Sequence, residues 1–217
     1  MNNKDIHTIF DILNKEVKQW KTPAVTVVAK KRSPFQVLVS CIISLRTKDE
    51  VTGASSRRLY ARADNPKDML NLSEEEIAKL IYPAGFYNVK AKQIFDISKA
   101  LVEDYDSIVP DSIDELIKFK GVGRKTANLV VTLGYNKPGI CVDIHVHRIT
   151  NRWGYVKAKT PDTTEMALRK KLPHEYWIPI NDLLVTYGQN LCTPISPYCN
   201  QCRLNDYCDR VDVTKVR

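Results

Sequence analysis

The 217-residue sequence is poor in glycine, and it has no strand signature. Eight glycines are few for the turn-dense chain of an all-β protein. No run rich in valine, isoleucine and threonine sustains two-residue alternation. Val25-Thr26-Val27-Val28 is the exception, short enough to belong to a loop. No apolar run approaches the ~18–20 residues of a membrane-spanning helix. The longest, from Val37 to Leu45, is interrupted by Ser40 and Ser44. Met1-Asn2-Asn3-Lys4-Asp5 leads into mixed polar sequence without an apolar signal core, so neither secretion nor processing is expected, and no membrane partner. Low-complexity tracts, repeats and Gly/Ser linkers are absent too. Any domain division must therefore run between packed layers, with Lys137-Pro138-Gly139 and Lys159-Thr160-Pro161 as connectors.

What is present reads as helix. Hydrophobic residues make up 43% and charged residues 27%, enough for a globular core and against a disordered chain. Ser73 with Glu76, and Ser112 with Glu115, form capping-box patterns. Asn88 precedes Ala91, Ile94, Phe95, Ser98, Leu101 and Val102, whose three- and four-residue spacing marks one helical face. The fold class is all-α, with about eight to eleven helices at ordinary helix and loop lengths.

The net charge is +8 and the sequence pI is near 9.1. Residues 1–61 carry 11 basic and 5 acidic side chains, residues 62–115 carry 6 and 12, and residues 116–171 carry 12 and 3. Two basic blocks around an acidic one suit a folded protein with one positive face. Such a face attracts nucleic acid or an anionic surface; a merely solvated basic surface is the plain alternative.

The segment from Leu116 to Asn128 concentrates the chemistry. An apolar-faced helix is expected to end near Phe119. Gly121-Val122-Gly123 permits a tight turn, and a second helix follows with Ala127, Val130, Val131 and Leu133, ended by Gly134. Backbone N–H groups of such a turn, with the helix dipole, can seat a phosphate. Lys118, Lys120, Arg124 and Lys125 surround it with positive charge. The pattern resembles a helix-hairpin-helix element, which grips a nucleic-acid backbone without reading sequence. Farther on, Asp143 precedes Val146 and Ile149 and reads as a helix N-cap. A carboxylate can also assist amine chemistry: a lysine is nucleophilic only when neutral, and a cationic sugar-like transition state needs a counter-charge.

Cysteine is clustered. Cys41 and Cys141 sit in apolar stretches and read as buried thiols. Cys192, Cys199, Cys202 and Cys208 follow an x6/x2/x5 spacing among Pro194, Pro197 and Asn205. Four thiolates in so short a segment mean a structural zinc or an iron–sulfur cluster. A single Cys-x2-Cys knuckle, where zinc sites often pair two, leans towards [4Fe–4S].

Together, the Gly121–Asn128 hairpin, Val142-Asp143-x-His145 and the cysteine spacing resemble the endonuclease III family of DNA glycosylase/AP lyases, from about Pro34 to Cys208. The resemblance implies a two-domain helix-hairpin-helix DNA glycosylase fold. A six-helix barrel would span 27–137, with the hairpin at about 112–134. An iron–sulfur cluster domain would join 1–26 to 138–217, with its cluster loop at 192–208. By the same resemblance Lys125 is the catalytic nucleophile, Asp143 is its catalytic partner, and Cys192, Cys199, Cys202 and Cys208 hold a [4Fe-4S] cluster. DNA contacts fall to Gly121, Val122, Gly123, Arg124, Thr126 and His145. Arg46 stands where many relatives have Gln, filling the hole left by an extruded base, and Phe86 is the wedge between base steps.

The implied function is base excision repair: removal of oxidised pyrimidines from duplex DNA, then β-elimination at the abasic site through a lysine Schiff base. The expected partner is double-stranded DNA carrying damaged bases or abasic sites, bound by a monomer. The expected place is the prokaryotic cytoplasm beside the nucleoid, or a eukaryotic nucleus. A glycosylase for T or U opposite G is the alternative, and a non-catalytic DNA-binding module a more distant one. The loop Thr193–Tyr198 lacks the basic residue common in relatives, and His147 replaces an apolar or aromatic residue.

Overall fold

The computed structural model describes residues 3–21, 23, 25–26 and 33–217. Val27 and Val28 of the alternating stretch, and with them the expected start of the barrel at 27, lie outside the described residues. Among the described residues there are helices and turns and no strand. No helix is long and apolar enough to cross a membrane. The chain divides into two compact units: a middle unit, Ala24–Lys137, and a terminal unit built from Met1–Pro23 and Pro138–Arg217.

In the terminal unit, helix α1 (Asn3–Glu16) buries Ile6, Ile9, Phe10 and Leu13, a stripe at helical spacing. The middle unit is assembled around α2 (Pro34–Ser44). Ser33 caps this helix, accepting the Gln36 N–H at 3.4 Å, and Pro34 supplies a preset first turn. Phe35 and every residue from Val37 to Ile43 are buried. A helix apolar on all sides has to be enclosed. It is covered by α3 (Asp49–Tyr60), α6 (Tyr87–Asp104), α8 (Arg124–Leu129) and the π-turn Val130–Gly134. Ser40, fully buried, is satisfied by Ser56 and by the Tyr60 hydroxyl at 2.6 Å, and that hydroxyl donates to the Gln36 carbonyl at 2.7 Å. Gly134 lets the π-turn approach, because a Cβ there would lie 3.1 Å from Pro34 Cα.

The short α4 (Pro66–Met69) and α5 (Glu74–Ile81) complete one side against α6. Ser73 and Glu76 form the capping box read from the sequence. Two other readings need correction. Helix α6 starts at Tyr87 rather than after Asn88, because Phe86 takes a left-handed conformation (φ 58°) that turns the chain directly into the helix. Ser112 makes no side-chain cap for α7 (Ile113–Leu116). Glu115 is instead engaged by Lys118 at 2.6 Å and by the Tyr105 hydroxyl at 3.2 Å.

The terminal unit adds α9 (Ile144–Arg152), α10 (Pro161–Lys171) and α11 (Pro179–Asn190), with α9 and α1 packed on α11. Its core joins the α1 stripe to Val146, Ile149, Trp153, Leu184 and Tyr187. Tyr176 stacks on Phe10 with ring centroids 3.8 Å apart, and the buried Trp177 indole donates to the Leu172 carbonyl at 2.9 Å. Thr160 does more than connect: with Thr163 it forms a capping box that starts α10.

Because α2 has no exposed face, truncating it leaves a cavity that cannot collapse onto solvent. Ile42→Ala should cost about 2–5 kcal/mol, read as a lower urea midpoint by far-ultraviolet circular dichroism.

Candidate active site and cysteine cluster

The hairpin belongs to the middle unit. After α7 the chain continues by turns to Phe119, which is buried with Leu116 and Val122 and anchors the corner. Gly121 sits at φ +79°, where a side chain is strained, and an added Cβ would lie 2.5 Å from Gln93 Nε2. That amide donates to the Lys120 carbonyl at 3.0 Å and ties the turn to α6. Gly123 caps α8 and faces open space. The phosphate-seat reading needs trimming, because the Val122 N–H is already given to the Phe119 carbonyl at 3.0 Å. Lys118 is paired with Glu115, and Thr126 is buried. Arg124 is half-buried and Lys125 exposed, on the first turn of α8. Burial pushes the Cys41 thiol up to about 12, opposed by the positive charge of Lys125.

Two loops of the same unit meet at their tips. Arg46 (φ 50°) and Phe86 (φ 58°) both adopt left-handed backbone, and the Arg46 guanidinium carbon lies 5.6 Å from the Phe86 ring centroid. Phe86 is 61% exposed. Beneath them lies Lys90, which the sequence reading passed over although it shares the buried α6 face with Ile94, Ile97 and Leu101. Burial lowers its ammonium to about 8.

Asp143 belongs to the terminal unit, and so is on a different unit from Lys125. It caps α9 as the sequence suggests, with Oδ1 accepting the His145 and Val146 N–H groups at 2.9 Å each. Oδ2 takes neither of these bonds, and the residue is 8% exposed. The half-buried His145 ring lies against its own unit: Nδ1 is 3.1 Å from Arg148 Nη2, and a Cβ on Gly188 would come within 2.4 Å of it. His147 has a structural post, with Nδ1 2.7 Å from the Thr164 hydroxyl between α9 and α10.

Cys41 and Cys141 are buried thiols. The other four cysteines are part-buried and unbridged, and all four line one cavity with Arg152, Tyr187 and Tyr198. Arg152, buried, points Nη1 at Cys192 Sγ (3.4 Å) and at the Thr193 carbonyl, while Nη2 donates to the Pro194 carbonyl, both at 2.7 Å. The Tyr187 hydroxyl lies 3.1 Å from Cys202 Sγ. Burial raises the Cys202 thiol and pushes Cys208 up to about 11. Among the described residues, no three His, Cys, Asp or Glu side chains converge on a single metal-holding point. The loop Thr193–Tyr198 has no cation of its own. It receives one from Arg217, whose Nε donates to the Ser196 carbonyl at 3.0 Å.

Residues 39–174 match the family described as HhH-GPD superfamily base excision DNA repair protein. The Endonuclease III of Thermotoga maritima is 46% identical over 180 residues, covering 83% of this chain and 84% of that protein. The Endonuclease III of Rickettsia conorii is 33% identical over 209 residues, covering 96% and 97%. A solved trapped endonuclease III–DNA covalent intermediate superposes with a TM-score of 0.85 at 30% identity, covering 97% of each chain. The chain belongs to the endonuclease III family. That family's activity is base excision by a DNA glycosylase that is also an abasic-site lyase.

Within an endonuclease III, three residues that motif reading overlooks become notable. Lys90, Arg152 and Tyr187 carry polar groups inside apolar surroundings, and only Lys90 left a sequence signal, a lysine at a buried heptad-like position. The hairpin itself makes a direct prediction. Gly121→Ala should destabilise the protein by about 1–2 kcal/mol through its left-handed backbone. Thermal melting should show the loss persisting in a Gln93→Ala background, since trimming the amide relieves the clash but not the strain.

Proposed function

We propose that Lys125 is the amine nucleophile and Asp143 its carboxylate partner, acting on damaged pyrimidines in duplex DNA. One observation carries the reading most strongly. Lys125 is an exposed amine on the first turn of the helix leaving the Gly121–Gly123 corner, in a chain whose solved relative at TM-score 0.85 is a covalently trapped DNA complex. In this reading the neutral Lys125 amine attacks the sugar C1′. The glycosidic C–N bond breaks, and the base leaves with that electron pair and takes up a proton. As the sugar ring opens, the C1′–O4′ bond breaks, O4′ takes up a proton and the nitrogen lone pair forms a protonated Schiff base at C1′. This acidifies the C2′ proton, and its removal drives β-elimination of the C3′ oxygen, cutting the strand 3′ to the lesion. Asp143 accepts the lysine proton and faces the developing sugar cation with the oxygen that does not cap α9.

The duplex backbone is held by the Gly121 and Gly123 turn with Arg124, while Arg46 and Phe86 occupy the gap left by the extruded base. Val122 and Thr126 are buried and serve the corner's packing; His145 contributes through its own unit. The four cysteines suit a [4Fe-4S] cluster: such a group spreads its thiolates over four irons, so it asks for a cavity ringed by sulfur, and Arg152 and Tyr187 offer N–H and O–H donors to ligating sulfurs. When bound, the cluster supplies folding energy to residues 192–208. A monomer acting beside the chromosome is the simplest assembly for this chemistry.

Borohydride trapping on a duplex with one thymine glycol tests the pair. The protein should form a covalent band, and Lys125→Ala should abolish it. Base release without a band would move the chain to the mismatch-type reading. Asp143→Asn preserves the N-cap, so it should melt normally while base release slows about 10²–10⁴-fold. Iron and acid-labile sulfide analysis should find the cluster in the purified protein and lose it in Cys208→Ala.

A further inference from the structure

We propose that Lys90 is a positioning residue whose buried ammonium joins the Arg46 and Phe86 loops from beneath, so that the two side chains act as one inserting unit. The inference rests on the reading of Arg46 and Phe86 given above. Lys90 is 4% exposed, and lysine is rarely so buried unless its charge is well met. Among the described residues no carboxylate meets it. The ammonium donates to the Ile43 carbonyl at 2.7 Å, the Leu45 carbonyl at 2.5 Å and the Thr47 hydroxyl oxygen at 2.9 Å, which uses all three protons. The two carbonyls stand at the C-terminal end of α2, where the helix has no donors left and its dipole is negative.

Thr47 carries the link onward. Its hydroxyl oxygen accepts the Gly85 N–H at 3.1 Å and its proton goes to the Leu45 carbonyl at 3.2 Å. Gly85 lies so close that a Cβ there would be 2.5 Å from the Arg46 carbonyl oxygen. One buried cation thus fixes the backbone on either side of Arg46 and, through Thr47, the residue before Phe86. Both tips keep left-handed backbone that bulky residues rarely adopt, so the anchoring beneath must hold them there. Lys90 itself stays inside, away from the outer surface where the Arg46 guanidinium meets the Phe86 ring.

The test separates insertion from chemistry. Duplexes would carry 2-aminopurine opposite an abasic-site analogue, and cleavage would be timed on abasic sites in duplex and in single strands. Lys90→Met keeps the length of the stem and removes the donors. It should weaken the 2-aminopurine response and lower the ratio of duplex to single-strand cleavage by about ten- to hundredfold. In an Arg46→Ala/Phe86→Ala background, it should add almost nothing. A role in general stability would instead lower both cleavage rates together, and an unchanged ratio would overturn the proposal. If Lys90→Met fails to fold, Thr47→Val decides: it cuts the bridge to Gly85 while leaving both carbonyl bonds, and it should shift the ratio in the same direction. If Arg46→Ala/Phe86→Ala itself leaves the ratio unchanged, the insertion reading fails and takes the proposal with it. If that variant loses the ratio and Lys90→Met does not, only the proposal fails.

Discussion

Helix α2 is buried along almost its whole length, and α3, α6, α8 and the π-turn of the middle unit cover it. Its burial dictates where the chemistry lies. Its first residue, Pro34, sits under the π-turn that ends the hairpin's second helix, so the hairpin is held by the same core. Midway, Cys41 is buried within the electrostatic reach of Lys125. Its last carbonyls take the Lys90 ammonium, and the loop bearing Arg46 leaves from there. Hydrophobic burial at ~25 cal/mol per Å² of apolar surface is non-directional. The polar bonds at the two ends of α2 turn that enclosure into a fixed geometry.

The terminal unit solves a different problem with similar means. Residues 192–208 offer little apolar surface for burial, apart from the buried Pro197 and Leu204 and the partly buried Tyr198 and Tyr207. Arg152 compensates by reaching from the end of α9 to two carbonyls and one sulfur of the loop. Arg148 does the same for the Gly188 and Cys192 carbonyls at the end of α11. Guanidinium groups suit this work because their planar fork serves several acceptors at once. The close approach of α9 and α11 at Gly188 aims both arginines from one helix.

Some of this was legible because it is local. The Ser73–Glu76 box and the Asp143 cap depend on residues a few positions apart, and each formed where spacing indicated. The cap at Ser112 failed because Glu115 found stronger partners in Lys118 and Tyr105. The start of α6 was misplaced because a left-handed phenylalanine carries no sequence signature, unlike glycine. A free Val122 N–H was likewise a fair local expectation, overruled by the Phe119 carbonyl one turn away.

The sequence by itself determined the helical class, the glycine corner, the lysine that follows it, the capping carboxylate and the four-cysteine spacing. These are matters of periodicity, backbone freedom and donor chemistry, all written within short stretches. Only the tertiary structure decided that Thr126 is buried, that Arg152 and Tyr187 attend the cysteines, and that Arg46 and Phe86 meet above a buried Lys90. Each of those depends on which distant segment supplies the partner. A lysine reads as solvent-facing until the fold places three acceptors around it and closes the water out.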